Sequence, residues 1–167
     1  MKSLTKILIV ANLLALLGYL LWSVRQSEDL LENGQLVLLE LAPADPRSLM
    51  QGDYMRLDYA INRREADDSR VDWPTVPKRG YVVVALDDLG VGRRLRLQTE
   101  REPLAEGEIL LPYVKKEWRL NIGAGSYFFQ EGRAADFARA EYGGLRVDEG
   151  GNSLLVGLYD DRRQLIE

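Results

Sequence analysis

The chain contains no cysteine and no histidine among its 167 residues. Without cysteine there is no disulfide scaffold, no thiol nucleophile and no thiolate metal site. Without histidine there is no Ser-His-Asp triad and no imidazole-bound zinc within the chain. Phosphate-cradling loops are missing too: Gly123, Gly125 and Gly132 lack the spacing of a nucleotide fingerprint, and no βαβ pattern surrounds them. There is no internal repeat and no low-complexity tract. These absences remove most familiar hydrolase and metalloenzyme chemistry. What remains is ordinary globular composition, 46% apolar and 29% charged, in a length that supports one domain plus accessories.

The most informative stretch comes first. Ile7 to Val24 (ILIVANLLALLGYLLWSV) holds no ionisable group except Tyr19. As a helix it would span roughly 27 Å, close to the thickness of a bilayer core. A helix buried in a soluble domain would show a polar stripe, and this run has only Asn12 and Ser23. A cleaved secretory signal would be shorter and end in small residues, whereas this run closes on Tyr19, Leu20, Leu21 and Trp22. The pattern predicts an uncleaved signal-anchor over residues 7–24, with residues 1–6 as a cytoplasmic N-terminus and 25–33 as a charged juxtamembrane spacer. Lys2 and Lys6 precede the run, and the positive-inside bias places residues 25–167 outside, in a bacterial periplasm. Taking those two lysines from the 22 basic residues leaves 20 against 26 acidic ones, a net charge of −6 for the outer part. That balance argues against nucleic acid and against electrostatic docking on anionic lipid. Ala11, Ala15 and Gly18 share one helix face with Asn12 beside it, a pattern that lets a second membrane helix approach closely.

From Gly34 onward the hydrophobic period is mainly two. Residues 35–42 and 81–86 read as buried strands, and 91–98 returns after an Asp-Asp-Leu-Gly turn as the second half of a hairpin. Met55, Leu57, Tyr59 and Ile61 alternate with Tyr54, Arg56, Asp58 and Ala60 as a half-buried strand. Residues 109–114 and 118–122 are further strands, and 145–147 with 153–159 form a closing hairpin around DEGGN. Residues 63–72 read as an exposed charged loop. Gly132 to Tyr142 is the strong helix candidate outside the membrane, with Ala134, Phe137, Ala138 and Glu141 on one face and Gly143-Gly144 as its stop. The expected architecture for 34–167 is mainly β: an antiparallel sandwich or partly open barrel with one short helix.

Chemistry-bearing groups are few. Asp53 and Glu131 could act as a carboxylate pair if the fold brought them about 5–10 Å apart across a cleft. The acidic pairs 67–68, 87–88 and 160–161 lack the spaced loop of a calcium site. A serine–lysine hydrolase would use Ser48 and Lys78, but Ser48 lacks the Ser-Met-x-Pro context and Lys78 reads as an exposed strand entry, whereas a lysine base needs desolvation. Tyr113, Trp118, Tyr127, Phe128 and Phe129 could form an aromatic ligand surface, although such positions in strands more often belong to a core. No cofactor and no metal site is expected.

Residues 52–59 read GDYMRLDY. Gly52 can take a positive φ at the strand opening, Asp53 can cap the turn, and Tyr54, Leu57 and Tyr59 complete the spacing. This segment matches letter for letter the pattern naming the GDYXXLXY family of bacterial membrane-anchored proteins of unknown function. Residues 125–132 (GSYFFQEG) and 144–158 also resemble that family, so the likeness covers essentially the whole chain. It implies a single N-terminal membrane helix and a companion multi-span membrane protein; it carries over no catalytic residues. The sequence is therefore read as a non-enzymatic accessory or assembly subunit of the inner membrane. Its recognition surface is placed around Gly52, Asp53, Tyr54, Leu57, Tyr59 and Glu131, and its anchor face at Ala11, Asn12, Ala15 and Gly18. The rival reading is a periplasmic enzyme or small-ligand binder built on Asp53 and Glu131.

Overall fold

A computed structural model describes residues 2–42, 54–63, 73–117 and 119–167. The apolar run lies in one helix, α1 (Lys2–Asn33), which at about 1.5 Å per residue is ~48 Å long. It is long and apolar enough to cross a membrane, and none of its apolar window is buried against the rest of the chain. The helix does not end with the apolar segment but continues through residues 25–33. Its last turn meets the β domain: Leu30 is buried, and Arg146 donates from Nη1 to the Gly34 carbonyl at 2.7 Å.

The domain after α1 is mainly β, as the two-residue period predicts. Nine strands are described: β1 (Gln35–Glu40), β2 (Tyr54–Arg56), β3 (Arg79–Leu86), β4 (Gly92–Gln98), β5 (Glu108–Lys116), β6 (Arg119–Ile122), β7 (Ser126–Phe128), β8 (Tyr142–Val147) and β9 (Ser153–Tyr159). All pairings between them are antiparallel, in the orders β1-β8-β9, β2-β7 and β4-β3-β5-β6. The pieces are stitched together. Leu38 donates its N–H to the Gly90 carbonyl and makes a parallel bridge to Val91, joining β1 to the start of β4. Close approach there needs Gly92, since a Cβ on it would come within 2.8 Å of Val84. The result is a sheet that curls from β9 through β8, β1, β4, β3 and β5 to β6 as a half-barrel, the partly open form of the predicted architecture.

Its core follows from the sequence runs. Val82, Val83 and Val84 are fully buried because β3 lies inside its sheet with both faces covered. Val37 and Leu39 on β1, Leu111 on β5 and Leu145 on β8 fill the same interior. Trp73 joins them, although it borders a stretch read as an exposed loop.

The helix expected over 132–142 is a correction. Only one turn forms, α2 (Ala134–Phe137), and its N-terminus has no side-chain cap. Phe137 is pinned between Tyr127 and Phe129, at ring separations of 5.3 and 5.0 Å. Immediately afterwards Glu141 bonds to both Leu41 and Tyr159 through its backbone, and Tyr142 opens β8. Sheet pairing claims these residues before a second helical turn can form, so tertiary contacts override local propensity.

Candidate functional site

Of the six motif-region residues singled out in the sequence, Gly52 and Asp53 lie outside the described residues. The other four are placed. Met55, Leu57, Tyr59 and Ile61 all point into the core, so the alternation holds. The strand itself is shorter than the pattern suggests, because a 3-10 turn (Ala60–Asn62) bends the chain after three paired residues.

What this segment does is bind residues 123–128 along their whole length. Tyr54, Met55 and Arg56 on β2 pair with Phe128, Tyr127 and Ser126 on β7. The Leu57 N–H then donates to the Gly125 carbonyl at 3.0 Å, and the Tyr59 hydroxyl donates to the Ala124 carbonyl at 3.1 Å. The Tyr59 ring is fully buried between two glycines. A Cβ on Gly143 would approach its Cε1 to 2.8 Å, and one on Gly123 would reach 3.4 Å from Cε2. Gly123 also has φ of +65°, a left-handed conformation that favours glycine. Burial pushes the Tyr59 phenol well above its ordinary range, so it remains a neutral hydrogen-bond donor. On the other side of β2, Tyr54 is half-buried with its ring 5.7 Å from that of Phe128.

Asp58, between the motif's last two fixed letters, ties in the neighbouring elements. Its carboxylate accepts from Arg63 at 3.0 Å and from Arg119 of β6 at 2.6 Å, and its carbonyl accepts from the Ala42 N–H. The motif thus anchors β1, β6 and the 123–128 segment at one corner.

The segment so held forms a wall of a groove of about 1060 Å³, which occupies the opening of the half-barrel between β9 and the β5–β6 side. Tyr81 and Tyr127 contribute aromatic surface, and Ser153–Leu155 of β9 form the facing rim. Phe128 stands on the lip with 74% of its surface exposed, an uncommon position for a large apolar ring. Among the described residues Arg79 is the only charged one lining the groove. The aromatic cluster noted in the sequence therefore divides. Tyr113 belongs to the core, Tyr127 and Phe129 are half-buried, Phe128 is solvent-facing, and Trp118 lies outside the described residues.

Glu131 is exposed in the loop before α2, and Ser48 lies outside the described residues. Lys78 is exposed at the start of β3, which gives a lysine base none of the desolvation it needs. A second cleft, about 650 Å³, lies between the end of α1 and the β8–β9 turn. Three of its carboxylates are already engaged: Asp29 accepts from Asn33, Asp148 from Asn152, and Glu108 from Arg96 at 2.5 and 2.8 Å. That guanidinium, with the Ala105 N–H, holds the Glu108 pKa down at about 2. In α1, Ala11, Asn12, Ala15 and Gly18 are all exposed, with none of the described residues of the domain packed on them.

Sequence reasoning missed the groove because its parts come from five strands. The one local signal was the run of aromatic residues at 127–129. No curated protein and no solved structure matches the chain. The family model described as GDYXXLXY protein matches residues 16–158, which takes in the end of the anchor, the motif, the 123–128 wall and the closing hairpin, and the chain belongs to the GDYXXLXY family.

Proposed function

We propose that this chain is a bitopic accessory or assembly subunit of the bacterial inner membrane. Its N-terminus faces the cytoplasm and its β domain the periplasm. It performs no catalysis of its own, and it binds a multi-span membrane protein through both anchor and outer domain. The observation that carries this reading is α1. Its small-residue face at Ala11, Ala15 and Gly18 is bare, while its far end is bolted to the domain through Leu30 and the Arg146–Gly34 bond. An anchor serving only as a tether needs neither feature. A helix joined firmly to its domain can present both to one partner in a fixed relation.

The test is affinity purification of the full-length protein from native membranes in mild detergent, beside a version carrying an unrelated membrane anchor. The proposal expects a stoichiometric multi-span partner that is lost with the swapped anchor. No partner in either sample would contradict it.

A further inference from the structure

We propose that the groove in the half-barrel opening receives an extended, acid-bearing apolar segment of a partner polypeptide, laid along the free edge of β9. This deepens the accessory-subunit reading and rests on it for the partner's existence, but it stands on three separate observations.

The first is the edge. β9 is the last strand of its sheet, with β8 on one side only. The chain already uses the other side for strand pairing: Leu165 bridges Tyr159 in antiparallel fashion, and the Ile166 N–H bonds to the Leu158 carbonyl. That addition stops at the far end. Residues 153–157 have no further strand against them among the described residues. An open edge is a template for another extended segment.

The second is charge. The chain beyond residue 24 is net −6, yet among the described residues the groove holds a single charged side chain, and it is positive. Among the described residues Arg79 has no hydrogen-bond or ion-pair partner. A guanidinium beside aromatic surface favours a carboxylate on the incoming segment. A basic segment would be repelled by Arg79 alone, and a neutral one would leave it unused.

The third is support. Phe128 is exposed, yet it is held in place by Tyr54 behind it and by the β2 pairing that continues into the Tyr59 clamp. A pre-positioned aromatic lip lowers the ordering cost of binding. Tyr81 is likewise fixed, with Arg101 donating to its hydroxyl at 3.1 Å.

The experiment is selection of phage-displayed random nine-residue peptides on the full-length protein in mild detergent. The proposal expects enriched sequences that alternate apolar residues and carry Asp or Glu. As a free peptide, the best of them should slow amide hydrogen exchange at residues 153–157. It should bind about tenfold more weakly to Arg79→Glu, with Arg79→Gln in between, and a peptide with its acid changed to lysine should recover on Arg79→Glu. Arg79 is exposed at the start of β3, so both variants should melt as the parent does. Enrichment without acidic bias, no protection at 153–157, or binding indifferent to Arg79 would each overturn the proposal. So would a dimer of the protein abolished by Phe128→Ser, which makes a second copy the occupant. A photo-reactive residue at Leu154 that labels only lipid would make the membrane surface the occupant. The accessory reading is scored separately, by anchor-dependent co-purification. A partner retained beside a silent groove ends this inference alone. Absence of any partner ends the accessory reading and leaves the peptide result to stand by itself.

Discussion

The hydroxyl of Tyr59 donates to the carbonyl of Ala124, 65 residues further along the chain, at 3.1 Å. The motif is therefore a long-range clamp as well as the opening of a strand. Tyr54, Leu57 and Tyr59 each meet a different part of the 123–128 segment, through ring packing, a backbone bond and a hydroxyl bond. The spacing of the motif follows from this arrangement. Leu57 and Tyr59 sit two residues apart on the inward face, while Tyr54 falls on the outward face, where the aromatic lip stands.

Removing only the clamp's hydroxyl should have a modest and measurable cost. Tyr59→Phe keeps the ring between Gly123 and Gly143 but leaves the Ala124 carbonyl without its donor, which should lower stability by about 1 kcal/mol. Tyr59→Ala should cost ~3–5 kcal/mol, because a fully buried aromatic side chain is replaced by a cavity. Denaturant titration of the full-length protein in mild detergent distinguishes the two.

Two glycines give a sharper contrast. Gly143→Ala would place a Cβ 2.8 Å from Tyr59 Cε1 and should destabilise by about 1–3 kcal/mol. Gly125→Ala meets open space and should change stability by less than about 0.5 kcal/mol. Equal effects in the same titration would contradict the packing around Tyr59.

Two groups of opposite sign should contribute to the pH limits of stability. The Glu108 carboxyl is held down to about 2 by Arg96. Its contribution is present above the ordinary glutamate pKa and is lost as pH falls from about 4.5 towards 2. The variant Glu108→Gln should show a shallower loss of stability over that window. Tyr59 is shifted upward by burial, so its contribution is complete below the ordinary phenol range and is lost as pH rises above about 10. The alkaline loss should be smaller in Tyr59→Phe. Thermal melts across both windows read the two slopes.

The anchor face is testable without touching the domain. Replacing Ala11, Ala15 and Gly18 with leucine keeps the helix apolar, so insertion should be unchanged, but it fills the surface on which a second helix would pack. Co-purification of the proposed multi-span partner should fall, as quantitative mass spectrometry would show. Undiminished recovery would remove the anchor from the interface.

Much of this architecture is written locally. The apolar run at 7–24, the valines of β3 and the hairpins at 81–98 and 145–159 declare themselves because periodicity and turn residues act over a few positions. The core positions of the motif segment were legible for the same reason, since alternation alone points Leu57 and Tyr59 inward. The groove was not. β2 and β7 are three residues each, too short to show a pattern, and their register is set by contacts with distant segments. The helix pattern at 132–142 misled because Ala-rich periodicity competes with sheet pairing at Glu141 and Tyr142, and the pairing wins. Arg79 carried no signal at all: it acquires meaning only from the aromatic surface that the fold gathers around it.

The central claim is that the motif acts at a distance, by holding residues 123–128 over the groove. Amide hydrogen exchange of the full-length protein, with and without Tyr59→Phe, tests it most directly. The account predicts faster exchange at the backbone amides of 123–128 and at Leu57, with β3 and β8 unchanged. Acceleration confined to the immediate neighbours of Tyr59 in sequence, or no change at 123–128, would contradict it.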